Sequence, residues 1–172
     1  MIFVDIDGTL IDFYGTTKKF GIELKINEFG KWKWSEPPYP TPEEFYAKAE
    51  LQPWAIELIL TLHRSGEHPR FITKDYGEIK QNFLDDKLSR IYEFSRNPQR
   101  SIYEAPRKTE YCLYPIDLLI DDNVGECGEW CFMGGIAYHF NLADENPFEK
   151  FLEWWRIAAT EKRKNFPGGV NC

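Results

Sequence analysis

Two pairs of aspartates have a spacing that could support chemistry. Asp5 and Asp7 are separated by one residue near the start of the chain, and Asp121 and Asp122 are adjacent in its second half. Acids two residues apart lie on the same side of an extended chain. There, a carboxylate held against a cation can attack phosphorus while the second acid exchanges a proton with the leaving oxygen. The spacing of Asp5 and Asp7 therefore favours phosphoryl transfer.

The four acids together predict a metal site. Carboxylates that are brought close to one another repel and raise each other's pKa values, unless a cation lies between them. Hard oxygen ligands of this kind suit Mg²⁺. We therefore expect a Mg²⁺ site formed by Asp5, Asp7, Asp121 and Asp122. Each pair taken alone also has an ordinary interpretation, as a turn or as a helix N-cap.

Apolar segments ahead of the acids predict the strands that position them. Ile2-Phe3-Val4 is an unbroken apolar run ending at Asp5, as a strand buried on both faces does. Further strands are predicted at residues 70–73, 91–94, 116–120 and 136–140. Functional groups collect at the carboxyl ends of parallel strands. Asp5, Thr73 and the Asp121-Asp122 pair should therefore meet at one edge of a sheet.

Helical segments separate these strands. Thr41-Pro42-Glu43-Glu44 combines an N-cap Thr with Pro at the first helical position and Glu at the third, which predicts a helix start. Further helices are predicted after Pro53, from Tyr76 to Leu88 and after Asn146. The alternation predicts an α/β, Rossmann-like three-layer sandwich with a mostly parallel central sheet. We expect a single domain over residues 1–172, with residues 14–52 forming a small, mainly helical cap insertion.

Composition excludes several classes of protein. The 21 Lys and Arg against 28 Asp and Glu give a formal charge of −7, which argues against a general nucleic-acid surface because such a surface needs clustered cations. Charged residues interrupt every apolar stretch well before the ~18 residues that a membrane span needs. The first residues lack the pattern of a signal peptide. We therefore expect a cytoplasmic protein that binds a small phosphorylated molecule and no membrane; a homodimer is left open.

Three segments resemble motifs of the haloacid dehalogenase (HAD) superfamily of phosphatases. The first motif of that superfamily, D-x-D-G-T/V-L, stands here as Asp5-Ile6-Asp7-Gly8-Thr9-Leu10. The second, an apolar strand ending in Thr or Ser, matches Phe71-Ile72-Thr73, and the fourth, an apolar strand ending in two acids, matches Leu118-Leu119-Ile120-Asp121-Asp122. The resemblance spans essentially residues 1–142.

The resemblance implies roles for the first-motif acids and for the metal ligands. Asp5 would attack phosphorus to form an aspartyl-phosphate, and Asp7 would protonate the leaving alkoxide and later activate water. Mg²⁺ would be held by a carboxylate oxygen of Asp5, the backbone carbonyl of Asp7 and the carboxylate of Asp122. Asp121 would support these ligands without contacting the metal directly.

The resemblance also implies phosphate-binding groups and a cation. The Thr73 hydroxyl would hydrogen-bond a phosphoryl oxygen, and backbone N–H groups near Gly8 and Thr9 would join it. A lysine is needed because one Mg²⁺ does not cancel the charge of the carboxylates and the phosphate. Lys108 is the expected third-motif lysine because it lies 13 residues before Asp121. Two rivals remain: Lys74, which could also reach the phosphate directly, and Lys87.

Within the superfamily, the 5′(3′)-deoxyribonucleotidases are the most similar branch. Their first motif, D-x-D-G-V-L-x-D-F, corresponds to DIDGTLIDF from Asp5 to Phe13, with Thr9 in place of Val. This implies a nucleotide substrate whose base stacks on Phe13. Phe20, Trp32 and Trp34 are also near enough in sequence to the catalytic loop to stack on the base, and Trp32 and Trp34 could instead form the core of the cap.

Two other functions remain open at the level of the sequence. A polynucleotide 3′-phosphatase would use the same catalytic residues, although the acidic charge counts against a nucleic-acid channel. A non-enzymatic module would use the pocket only to bind Mg²⁺ and phosphate. The intact Asp5 and Asp7 pair counts against the module, because binding alone does not need a second acid as a proton carrier.

Overall fold

The computed structural model of the chain describes residues 1–22, 24–26, 32–34, 39–89 and 102–162, with backbone alone at 24–26, 32–34 and 160–162. In chain order, the elements are β1 (Ile2–Asp5), α1 (Phe13–Lys19), β2 (Leu24–Ile26), β3 (Trp32–Trp34), α2 (Pro42–Ala47), α3 (Ala55–Arg64), β4 (Arg70–Thr73), α4 (Gly77–Leu88), β5 (Ile102–Glu104), a 3₁₀ helix (Lys108–Tyr111), β6 (Leu118–Asp121), α5 (Val124–Phe132), β7 (Ile136–His139) and α6 (Pro147–Lys162).

Five of the strands form a parallel sheet in the order β5-β4-β1-β6-β7. In this register, Val4 of the central strand pairs with Phe71 on one side and Ile120 on the other. The chain first builds β4 and β5 on one side of β1 and then crosses to build β6 and β7 on the opposite side. Ligands of open α/β sheets bind where the strand order reverses in this way. That point lies beside the carboxyl end of β1.

Alternation along the strands gives the sheet two buried faces. Phe3, Ile72 and Leu119 lie on one face and pack with Trp130 of α5. The opposite face packs against residues of α3, α4 and α6, and its strand residues are Ile2, Val4, Phe71, Leu118 and Ile120. Helices therefore cover both sides, which confirms the predicted three-layer α/β sandwich.

The segment between β1 and α3 contains two short helices, α1 and α2, together with the antiparallel pair β2 and β3. The predicted capping box of α2 is present: the Thr41 hydroxyl accepts from Glu44 N at 3.3 Å, and the Glu44 carboxylate accepts from Thr41 N at 2.9 Å. Trp32 and Trp34 lie on β3, but their side chains are outside the described residues.

Two strand predictions differ from the structure or fall outside it. The strand predicted at residues 91–94 lies outside the described residues, and the edge of the sheet is formed by β5, which no sequence signal indicated. The strand predicted from Ile116 begins instead at Leu118. The reason is a turn held by the buried Asp117 carboxylate, which accepts the N–H groups of Leu113 and Tyr114 at 3.0 and 2.9 Å.

The longest of the described helices is α6, with 16 residues. Among the helices in the described ranges, none combines the length and the apolar character that crossing a membrane would require.

Candidate active site

Side chains from three neighbouring strands meet at the carboxyl edge of the sheet. Asp5 ends β1, Thr73 ends β4 and Asp121 ends β6, and all three are buried. Asp122 follows directly after β6. One carboxylate oxygen from each of Asp5, Asp121 and Asp122 lies within 4.8 Å of the others. The fold therefore brings together acids that are more than a hundred residues apart in the chain.

Lys108 lies between two of these acids. Its ammonium group donates to Asp5 Oδ1 and, at 2.7 Å, to Asp121 Oδ2. Burial by itself would lower the pKa of this ammonium group, but the charges of Asp5 and Asp121 raise it above its ordinary value. Lys108 therefore remains protonated and holds a positive charge against the first-motif acid.

The acidic cluster carries more negative charge than Lys108 neutralises. Burial raises the pKa of the Asp5 carboxyl well above its usual range; Lys108 opposes this shift, and the other acids of the cluster add to it. Burial and the charge of Asp121 raise the pKa of Asp122 to about 7. A divalent cation among these oxygens would offset the cost of holding several buried carboxylates in their charged form. The donor set consists of carboxylates, and it fits Mg²⁺.

The two adjacent acids are held differently. Both oxygens of Asp121 accept from the protein, Oδ2 from Lys108 and Oδ1 from Asn123 N at 2.8 Å. Asp122 Oδ2 accepts from the Tyr14 hydroxyl at 2.9 Å. Asn123 also caps α5, since its side chain accepts from the N–H groups of Gly125 and Glu126 at that helix's first turn.

The loop after β1 passes very close to Asp122. Gly8 has a φ of 89°, and a Cβ there would lie 2.2 Å from Asp122 Oδ2, so only glycine fits. Its N–H donates to the Ile11 carbonyl at 2.9 Å. The turn therefore uses this N–H, and its role as a phosphate donor stays a prediction. The Thr9 hydroxyl is buried and has no hydrogen-bond partner among the described residues.

Two side chains brace this loop from the segment that leads into α3. Gln52 Nε2 donates to the Gly8 carbonyl at 2.8 Å, and Trp54 Nε1 donates to the Thr9 carbonyl at 3.0 Å. Both contacts span more than forty residues, and the sequence pattern did not indicate either of them. They fix the path of the backbone between Asp7 and the apolar core.

Asp7 is held by residues that the sequence analysis missed. Its Oδ1 accepts from the Tyr46 hydroxyl at 2.9 Å, and its Oδ2 pairs with Lys80 Nζ at 2.7 Å. Lys80 also donates to Thr73 Oγ1 at 2.6 Å and to Asp75 Oδ1 at 2.9 Å. The one signal for Lys80 in the sequence is its place in the first turns of the helix that follows Thr73.

The two rival lysines lie elsewhere. Lys74 pairs with Glu126 and lines a different cavity, which Arg107 and Met133 also line. Lys74 lies one residue beyond the end of β4, and its proposed contact with phosphate stays a prediction. Lys87 is exposed at the end of α4, and its Nζ lies 3.6 Å from Asp86 Oδ2. The structure thus places Lys108, and neither of its rivals, against Asp5.

A cavity of about 360 Å³ opens beside Asp7. Aromatic and proline side chains form most of its wall, and its lining residues are Asp7, Phe13, Tyr39, Pro40, Pro42, Phe45, Tyr46, Asp75 and Tyr76. Tyr76 adopts a φ of 53°, in the left-handed region that bulky residues rarely enter. Strained positions of this kind cluster at ligand sites. The cavity is therefore a candidate ligand pocket.

The chain was compared with protein families, curated proteins and solved structures. No protein-family model matches the chain, and no curated protein matches it. Among solved structures, the chain is similar to the crystal structure of a HAD family hydrolase from Deinococcus radiodurans R1 with bound phosphate and sodium, with a TM-score of 0.51 and 11% identity over 80% of this chain and 79% of that one. At this identity, the similarity shows the fold: the chain has the Rossmann-like α/β fold of a HAD family hydrolase.

Proposed function

We propose that the protein is a Mg²⁺-dependent phosphomonoester hydrolase that works through an aspartyl-phosphate. The observation that carries this proposal is the position of Asp5 among Lys108, Asp121 and Asp122, at the switch point of the sheet, with Asp7 two residues further along. The structural neighbour, a HAD family hydrolase whose crystal contains phosphate and sodium, supports the same reaction class.

We assign the side chains of this site to two steps, the formation of the aspartyl-phosphate and its hydrolysis. Lys108 engages Oδ1 of Asp5, so we assign the attack to Oδ2: a bond forms between this oxygen and phosphorus while the ester P–O bond breaks. Asp7, which must be protonated for this step, donates its proton to the departing alkoxide and becomes the carboxylate that pairs with Lys80. Asp7 then takes a proton from water as the water oxygen attacks the aspartyl-phosphate. The bond from phosphorus to Asp5 breaks, and the products are an alcohol and inorganic phosphate.

Mg²⁺, when bound, would supply charge stabilisation for the phosphoryl oxygens. The groups that would hold it are the carboxylates of Asp5 and Asp122 and the backbone carbonyl of Asp7, with Asp121 in a supporting position. Lys108 keeps its charge beside Asp5 throughout. The Thr73 hydroxyl, at the end of the neighbouring strand, would donate to a phosphoryl oxygen.

A nucleoside monophosphate is the proposed substrate class. The cavity lies beside Asp7, the acid that must reach the leaving oxygen, and aromatic rings line it. Flat apolar walls of this kind bind a base by stacking, at ~1–3 kcal/mol per base. The sequence resemblance to the deoxyribonucleotidases points to the same class of substrate. Phe13, at the start of α1, is the proposed stacking residue.

Hydrolysis of p-nitrophenyl phosphate tests the proposed reaction. We expect turnover with Mg²⁺, none with EDTA, and loss of turnover in Asp5→Asn, because the amide cannot act as the nucleophile. Asp86→Asn, an exposed acid on α4, is the matched control and should retain full activity. An active Asp5→Asn protein would contradict the nucleophile assignment, and phosphate binding without turnover would favour a binding module.

A substrate panel tests the proposed specificity. Nucleoside 5′- and 3′-monophosphates should be hydrolysed with a higher kcat/KM than 3′-phosphorylated oligonucleotides, because the described cavity holds a single aromatic-lined compartment beside Asp7. The opposite ranking would identify a polynucleotide 3′-phosphatase and would reject the nucleotidase assignment.

A further inference from the structure

We propose that Lys80 is a positioning residue that orients both the phosphate-binding hydroxyl of Thr73 and the proton-transferring carboxylate of Asp7. This inference rests on the proposed phosphatase function and deepens it, since it concerns a residue outside the motifs that suggested that function. Three independent features carry the inference: the burial of Lys80, the identity of its partners and the directions in which its hydrogen bonds must run.

Lys80 is buried to an unusual degree for a lysine. Its side chain is 0% exposed, whereas lysines are almost never fully buried unless they are paired. Its partners are oxygens from two neighbouring strand ends. Asp7 lies just after β1, Thr73 is the last residue of β4, and Asp75 lies just after β4. The ammonium group of Lys80 therefore connects Asp7, the proton-transferring acid after β1, with Thr73, whose hydroxyl is the proposed phosphate-binding group at the end of β4.

The contact with Thr73 determines the role of its hydroxyl. A lysine ammonium group has donors and no acceptor, so Thr73 Oγ1 must accept in the 2.6 Å bond from Lys80. The hydroxyl hydrogen of Thr73 must then point elsewhere. Its acceptor in this structure is the Asp75 carbonyl at 3.3 Å, which is longer than an ordinary O–H···O bond. A phosphoryl oxygen could replace this weak acceptor, so Lys80 presents Thr73 as a donor.

The contact with Asp7 fixes the plane of its carboxylate. Lys80, from α4, binds Oδ2, and Tyr46, from α2, binds Oδ1. Two contacts from two different helices hold the group against rotation. The carboxylate remains at the wall of the aromatic cavity, where the leaving oxygen would lie. Because of Lys80, the geometry of proton transfer is therefore tied to the geometry of phosphate binding.

Lys80 acts through these partners and does not contact the phosphate itself. An ammonium group has three donors; that of Lys80 donates to Thr73 and Asp75 and forms an ion pair with Asp7, so three oxygens already surround it. Lys108, in contrast, lies against Asp5 and Asp121 on the other side of β1. The two buried lysines thus have separate tasks, and the loss of one should not be compensated by the other.

A double-mutant cycle tests the link between Lys80 and Thr73. We expect Lys80→Met to lower kcat/KM for p-nitrophenyl phosphate by ~10²-fold, the usual effect of losing one preorganised donor. Thr73→Val should cause a loss of similar size in the wild-type background and only a small further loss in the Lys80→Met background. Lys87→Met, an exposed lysine on the same helix, is the control and should behave as the wild type.

Binding of inorganic phosphate measured by calorimetry provides a readout that does not depend on turnover. In the presence of Mg²⁺, Thr73→Val should weaken phosphate binding clearly when Lys80 is present and only slightly when it is Met. Lys80→Gln, which retains one donor, should give intermediate values if Lys80→Met folds poorly. Thermal unfolding of every variant shows whether a loss comes from unfolding.

Substrates with different leaving groups test the link to Asp7. p-Nitrophenolate leaves with little help from an acid, whereas the alkoxide of an alkyl phosphate needs a proton. The loss caused by Lys80→Met should therefore be ~10-fold larger for an alkyl phosphate than for p-nitrophenyl phosphate. A residue that serves only stability would reduce both rates equally.

The outcomes separate this inference from the proposed function. An active wild type in which Thr73→Val has the same effect with and without Lys80 would overturn the role of Lys80 and leave the phosphatase proposal intact. Absence of phosphate-ester turnover in the wild type would overturn both.

Discussion

At the scale of single residues, the adjacent acids Asp121 and Asp122 have different environments. Asp121 uses both oxygens on protein donors, Lys108 and the N–H of Asn123. Asp122 has one described side-chain donor, the hydroxyl of Tyr14, and its pKa is raised to about 7. A carboxylate whose charge the protein leaves largely unneutralised gains most from a bound cation. Asp122 is therefore the better candidate for a direct metal ligand.

We expect Asp122→Asn to weaken Mg²⁺ binding more than Asp121→Asn does. The first change removes a charged oxygen that the metal would contact, whereas the second mainly disturbs the position of Lys108. Isothermal titration of both variants with Mg²⁺ measures the difference. If Asp121→Asn proves the more damaging change to affinity, the roles of the two acids must be exchanged.

At the scale of elements, helices α1 and α2 pack on each other and contribute part of the wall of the cavity beside Asp7. The ring centroids of Phe13 and Phe45 are 5.1 Å apart. At the other end of α1, the ring of Phe20 stacks on that of Phe45, with 6.0 Å between their centroids. Phe13 lines the cavity, while Phe20 is absent from its lining residues. The two phenylalanines thus share a packing partner but differ in their exposure to this cavity.

We expect Phe13→Ala to raise KM for a nucleoside monophosphate by roughly 10-fold, the equivalent of one lost base stack, with little change for p-nitrophenyl phosphate. Phe20→Ala, the matched control, removes a similar contact with Phe45 and should leave both KM values near those of the wild type. Steady-state kinetics on the two substrates measure the effect. Equal losses for both substrates in Phe13→Ala would mean that Phe13 serves packing alone.

At the scale of the whole molecule, the strand order concentrates negative charge at one edge of the sheet. The folded chain raises the pKa of Asp122 to about 7 from an ordinary value of 3.8. Between these values the folded state binds a proton that the unfolded state has released. The contribution of Asp122 to stability is therefore fully present at low pH and is lost as the pH rises through about 7.

We expect the metal-free protein to unfold at a lower temperature at about pH 8 than at about pH 6, because Asp122 in the folded chain loses its proton between these values. Mg²⁺ at ~100 times the dissociation constant that holds at about pH 8 should restore ~2.7 kcal/mol there, and the same Mg²⁺ concentration should give a smaller gain at about pH 6, where protons compete for Asp122. Thermal unfolding in EDTA and in Mg²⁺ measures both effects. In Asp122→Asn the pH dependence should be smaller; an unchanged dependence would show that other groups cause it.

The amino-acid sequence alone was sufficient for the parts of the molecule whose signals are local. The apolar run before Asp5 and the two apolar runs that end in Thr73 and Asp121 predicted parallel strands, and the order of such strands brings their carboxyl ends to one edge. The capping box at Thr41 is likewise a local pattern, and the structure contains it.

The tertiary structure alone decided which side chains surround those acids. Tyr46 reaches Asp7 across 39 residues and Tyr14 reaches Asp122 across 108, and neither contact has a spacing that a sequence pattern could reveal. Lys80, in the first turn of α4, reaches the Thr73 hydroxyl across seven residues, whereas Lys74, which follows Thr73 in the chain, pairs with Glu126. Local periodicity determines which residues form an element; the packing of elements determines which side chains meet.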